Sequence, residues 1–122
     1  MKTTAQKLVT YCREGREVEG LGEYYHADAV SVEAAPMEGA ESAEARGLEA
    51  IRAKHAWWDA NFAVSALKVE GPFHHGEDRF TVIFEIDGAP KAGGERFNMR
   101  EVAVYTTDAA GLIVREEFFA PA

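Results

Sequence analysis

The apolar positions of this chain settle into period two from Val64 onward, which divides it into a mostly helical and a sheet-forming half. Leu8, Val9, Tyr11 and Cys12 fall on one side of a helix predicted from about Ala5 to about Arg16, with Thr3 or Thr4 placed to cap it. A shorter helical piece, Val18 to Tyr25, is interrupted by Gly20 and Gly22. Then comes a strand in which Val30, Val32 and Ala34 alternate with Ser31 and Glu33 until Pro36. Met37 to Arg46 is small, acidic and without period, which predicts a surface loop. The strongest helical signal is Gly47 to Phe62. Leu48, Ile51, His55, Trp58 and Phe62 recur there at spacings of three and four, giving an apolar stripe that contains a histidine. Lys54, Trp57 and Asn61 flank the stripe, and Lys54 is expected in solvent.

From Val64 onward the period is two. Leu67 and Val69 alternate with Lys68 and Glu70, and Phe80, Val82 and Phe84 alternate with Thr81, Ile83 and Glu85. The segment DGAPKAGGE reads as a loop. Phe97 to Phe119 then forms two strands joined by a turn at Asp108–Gly111. Setting Tyr105 opposite Leu112 pairs Ala103 with Val114, Glu101 with Glu116 and Met99 with Phe118 on one face. The other face then carries Val102, Val104 and Ile113 beside the Arg100–Glu117 pair. Helices first and antiparallel strands after them define an α+β fold, with helices over one face of a curved sheet and a cavity between the layers. No repeat or linker divides the 122 residues, so a single domain spanning residues 1–122 is expected.

Composition narrows the function by exclusion. With 21 acidic against 13 basic residues the net charge is −8, which disfavours nucleic acid and anionic membrane surfaces as partners. One cysteine, Cys12, rules out an internal disulfide and suits a reducing compartment; with no leader-like start, a cytoplasmic location is expected. His74 and His75 lie near Glu77 and Asp78, but adjacent strand histidines project oppositely and no ligand spacing follows, so no metal is expected. There is no phosphate-binding glycine loop and no Ser–His–Asp pattern, so any chemistry is expected to run without a cofactor.

The residues left to carry chemistry are Glu101, Glu116 and His55. Two carboxyls side by side on an apolar wall cannot both ionise cheaply, so one should keep its proton and be able to donate it to a carbonyl. The structural alternative is that both reach the rim or pair with Lys54 or an arginine. His55 is either a proton carrier or a core histidine. Tyr11, Trp58, Phe62, Phe80, Val82, Phe84, Met99 and Phe118 are the expected lining of a small-molecule pocket. The opposite sheet face (Ile83, Val102, Val104, Ile113 and Phe119) is too apolar for water, so a two-fold homodimer is expected there.

The segments YYHADAVSVEA, GLEAIRAKHAWW, FTVIFEIDG and GLIVREEFFA, in that order, make the chain resemble the nuclear transport factor 2-like superfamily. Within it, the SnoaL-like and ketosteroid-isomerase-like bacterial proteins are the most similar. The resemblance covers essentially the whole chain. It implies a cone-like, cystatin-like curved sheet around a long helix, and activities that range from isomerases, dehydratases and cyclases to non-catalytic ligand-binding or dimerisation modules. The isomerases' aspartate base, at the end of the first strand, corresponds to Ala34, with Glu33 expected on the opposite face. Their oxyanion-hole tyrosine falls near Leu8, one turn from Tyr11, and their oxyanion-hole acid matches Glu101. One suitable position of three speaks against steroid isomerisation by that mechanism.

Overall fold

The structure is a computed structural model that describes residues 2–35 and 42–120. Helix α1 (Lys2–Arg13) buries Ala5, Leu8, Val9 and Cys12, the one-face spacing that its sequence encodes. Gly15, at φ 71°, makes the left-handed turn into α2 (Glu17–Tyr24). The short α2 holds because Gly20 leaves room for the Tyr24 ring, which a side chain at residue 20 would strike. Strand β1 (Tyr25–Val32) follows directly, then β2 (Glu44–Arg46) and α3 (Leu48–Asn61). The chain leaves α3 straight into β3 (Phe62–His75), β4 (Arg79–Pro90), β5 (Phe97–Thr107) and β6 (Ile113–Phe119).

These elements form an α+β fold whose curved, unclosed sheet has the order β2-β1-β6-β5-β4-β3. All neighbours are antiparallel except β1 and β6, which run parallel. The core has two parts. Helix α1 packs on Val69, Phe80, Val82, Phe84, Ala103, Tyr105 and Ile113 of the sheet. A smaller cluster joins Leu21 of α2, Ala29 of β1 and Ile51 of α3. Tyr25 packs against both. It therefore marks the seam where polar groups can lie inside without displacing either apolar cluster.

Four expectations change here. First, Glu116 lies opposite Tyr105, and Ala103 opposite Phe118, so the hairpin pairs further along than Tyr105–Leu112. The Asp108 carboxylate accepts the amides of Ala110 (2.9 Å) and Leu112 (3.0 Å), which widens the turn. A bulge before Arg115 adds the rest. Second, that bulge turns Ile113 into the core, fully buried, instead of onto the outer face. Third, β1 turns Ala29 and Ser31 inward, both fully buried, while Val30 and Val32 are half-buried on the other face. Its inner face is the polar one because Tyr25, Glu116 and Lys54 wait there for partners. Fourth, Glu44–Arg46 is a strand rather than loop, paired with Val30–Val32. Residues 37–41 of the predicted loop, and Pro36 that was expected to end β1, lie outside the described residues.

Ile51 ties α3 to α2 and β1 with no exposed surface. Replacing it with alanine should cost about 2–5 kcal/mol in urea unfolding, the range for a truncated buried aliphatic side chain. A loss under about 1 kcal/mol would mean that α3 is held by something other than this contact.

Candidate functional site

Parallel pairing of β1 with β6 sets Ser31 directly beside Glu116. Both are buried, Glu116 to 2% exposure. The Tyr25 hydroxyl donates to Oε2 of Glu116 at 3.1 Å. Its Oε1 has no hydrogen-bond partner among the described residues. From α3, Lys54 reaches across to β1. Its ammonium donates to the Ser31 hydroxyl and, at 2.8 Å, to Oε2 of Glu33. It also sits 4.9 Å from the centroid of the Phe118 ring. Lys54 is therefore not solvated, as its place on the helix flank suggested. Its side chain is 14% exposed because a buried hydroxyl, a carboxylate and an aromatic face hold it inside. Glu33 is turned inward with it, contrary to expectation, and Ala34 at the end of the strand is exposed.

Glu101 and Glu116 share the inner face but are not neighbours. In β4 the residue opposite Glu101 is Phe84, and the β5–β6 pairing ends at Val102–Phe119. Each carboxyl is nonetheless raised to about 7, and the main cause is burial rather than mutual repulsion. For Glu101 the Glu33 charge adds to the rise, Lys54 opposes it, and Glu116 contributes least. For Glu116 the Lys54 charge and the bonds from Tyr25 and Ser31 oppose the rise. Burial, reinforced by the charge of Glu116, also pushes the hydroxyls of Tyr25 and Tyr105 far above their ordinary range. What results is two separate carboxyls poised near neutrality around one ammonium. Glu116 is sealed from solvent, whereas Glu101 is half-buried.

The other expected site residues divide into two groups. His55 is half-buried beside Lys54; burial first, and the Lys54 charge second, hold its ring below the ordinary histidine pKa. Trp58 stacks on Phe62 at 4.4 Å and meets the edge of Phe97 at 6.3 Å. Met99 and Phe118 are half-buried, and the Phe118 ring lies against Lys54. Phe80, Val82 and Phe84 are instead buried in the core cluster that α1 also joins. Tyr11 donates its hydroxyl to Glu23 at 2.5 Å on the exposed side of the helical layer, with Arg16 over its ring, so it is not a pocket hydroxyl. His75 pairs with Thr81 at 2.7 Å, and no metal-binding cluster occurs among the described residues. Burial pushes the Cys12 thiol up to about 12, which makes it inert.

An open cleft of 420 Å³ lies at the end of β1 and β6, lined in part by Val32, Glu33, Phe118 and Phe119. The volume is within the range of small-molecule sites, but the space is open to solvent rather than an enclosed hollow. Sequence reasoning missed Tyr25, Ser31, Glu33 and Lys54. One signal was present: a lysine bordering the stripe of the main helix and a glutamate on a short strand are complementary charges on facing elements.

A curved, unclosed sheet wrapped on helices is the architecture of the nuclear transport factor 2-like fold. The chain belongs to the SnoaL-like domain family, which matches residues 5–116. A candidate SnoaL-like polyketide cyclase from Mesorhizobium loti is 37% identical over 97% of both chains, with a TM-score of 0.86. A nuclear transport factor 2-like protein of unknown function from Burkholderia pseudomallei shares the fold at 13% identity and a TM-score of 0.76, covering 98% of this chain and 89% of that one. A Mycobacterium tuberculosis protein solved with estradiol-17β-hemisuccinate shares it at 20% identity and a TM-score of 0.68, covering 95% and 90%. Among curated proteins none matches.

Both glutamates have folded-state values above the ordinary 4.5, so the native state binds more protons than the unfolded chain between 4.5 and about 7. Their contribution is fully present below the unfolded value and is lost as pH rises through the folded one. Glu116→Gln keeps an acceptor for Tyr25 but cannot ionise. It should match wild type near pH 5 and be more stable by roughly 1–3 kcal/mol near pH 8 in urea unfolding. Equal pH dependence in the two proteins would show that Glu116 ionises freely.

Proposed function

We propose that this protein binds a small carbonyl or ring compound between α3 and the concave sheet face and performs cofactor-independent acid–base chemistry on it, of isomerase, dehydratase or cyclase type. Glu101 is the acid that donates to the ligand oxygen, and Glu116 and His55 are its proton partners, Glu116 acting from behind through Tyr25, Ser31 and Lys54. Trp58, Phe62, Met99 and Phe118 hold the apolar body of the ligand. The observation carrying this reading is a half-buried carboxyl raised to about 7, where a group can both give and take a proton at neutral pH. The cyclase candidate at 37% identity and the steroid ester bound by a relative of the same fold support a small organic ligand. The second reading is a non-catalytic ligand-binding module of the same fold, and the openness of the cleft favours it, since water is not excluded there.

Glu101→Gln separates the two. Turnover of a carbonyl substrate should fall by about a hundredfold or more, the usual worth of a positioned acid, with circular dichroism and ligand affinity retained. Unchanged kinetics in the purified variant would remove Glu101 from the chemistry.

The proposal extends to a cytoplasmic homodimer formed by the whole chain as one domain. Val102, Val104 and Ile83 lie half-buried on the outer sheet face, beside Phe119 and Phe73, each 49% exposed. A second copy laid sheet to sheet would remove this stripe from water. Sedimentation should give a dimer at micromolar concentration, and Val104→Asp should split it into folded monomers. A monomeric wild type would end this part of the proposal.

A further inference from the structure

We propose that Ser31 and Lys54 form the path by which the sealed carboxyl of Glu116 exchanges its proton with water in the open cleft, with Glu33 at the outer end. This inference stands apart from the acid–base reading above. It concerns how one buried group gains and loses a proton, whether or not a ligand is turned over.

The path is a run of four polar side chains from β6, the end of β1 and α3. Glu116 lies beside Ser31 in the parallel pairing, and both are buried. Lys54 donates to the Ser31 hydroxyl and, at 2.8 Å, to Oε2 of Glu33. Glu33 in turn lines the cleft. Exposure rises in that order: Ser31 has none, the Lys54 side chain has 14% and the Glu33 side chain 26%. Donor chemistry sets the direction of the links. An ammonium has no lone pair to accept with, so the Ser31 oxygen accepts from Lys54 and its own proton is left for another acceptor. Glu116 is that acceptor, and the bond from Ser31 is one of the influences holding its proton affinity down. Oε1 of Glu116 has no hydrogen-bond partner among the described residues, so the carboxylate has room for an arriving proton.

Inward transfer balances as follows. Lys54 gives a proton to the Ser31 oxygen as the Ser31 proton passes to Glu116. Glu33 takes a proton from hydronium in the cleft and hands it to the neutral amine. Glu116 ends as the acid and the other three end as they began; outward transfer is the reverse. The remaining titratable groups around Glu116 lead nowhere. Tyr25 bonds its Oε2 at 3.1 Å, Tyr105 stands opposite on β5, and Cys12 of α1 feels its charge. Burial keeps the proton on each of these three. Glu101 feels Glu116 less than it feels Glu33 and Lys54.

The protonated carboxyl of Glu116 gives an infrared C=O band, identified by its loss in Glu116→Gln. Its rate of appearance after a jump from about pH 8 to about pH 6, across the value of about 7, measures the exchange. Ser31→Ala should slow it about a hundredfold, the low end of what a positioned proton carrier contributes. Ser31→Thr, which keeps the hydroxyl, should restore most of the rate. Lys54→Met should slow it as far as Ser31→Ala does, and the double variant no further, because links in series are lost together. Tyr25→Phe should leave the rate unchanged while raising the midpoint of the band's titration, since a bond to the carboxylate is removed. Should Lys54→Met fail to fold, the two Ser31 variants decide alone. A wild-type rate in Ser31→Ala, an equal loss in Ser31→Thr, or a loss confined to Tyr25→Phe overturns the path. So does a wild-type rate equal to amide hydrogen exchange in β6, which would mean that water reaches Glu116 by opening of the sheet.

Discussion

The parallel pairing of β1 with β6 is the constraint on which the polar interior rests. It joins the end of the helical half to the last strand of the chain and seats Ser31 beside Glu116. Without it Glu116 would be a buried carboxyl with neither a hydroxyl nor an ammonium in reach, a state that costs several kcal/mol and would be selected against by folding itself. With it, Tyr25 supplies one hydrogen bond, and Lys54 supplies a charge through Ser31. The remaining free oxygen of Glu116 is the unbalanced end of this arrangement.

The same arrangement explains why two glutamates behave alike for different geometries. Glu116 is fully enclosed and bonded by Tyr25, whereas Glu101 is only half-buried. Each loses solvation, and each feels the Lys54–Glu33 pair, so their proton affinities converge near neutrality. Convergence by a shared environment differs from convergence by direct contact. A contact pair would split into one high and one low value, while two separated sites titrate almost independently.

Aromatic packing closes the end of α3. Trp58, Phe62 and Phe97 pack on one another there, and the Phe118 ring lies against Lys54. The opening lies at the ends of β1 and β6, next to the pair that carries opposite charges.

The α+β plan, the main helix, the sheet and the inward position of Glu101 were legible in the sequence, because each depends on local period and on side-chain direction along one strand. Glu116 also kept its inward face, yet its partner was misread: Asp108 widened the turn and a bulge moved the ladder, and neither leaves a trace in hydrophobic alternation. The inner face of β1 was read from its valines, but burial followed Ser31 and Glu33, since their partners on β6 and α3 stand far away in the chain. Local pattern determined which elements form and which face each acid on β5 and β6 shows. Tertiary structure alone decided which groups meet, because a hydrogen bond between distant elements depends on register and crossing, and these are settled only when the layers close.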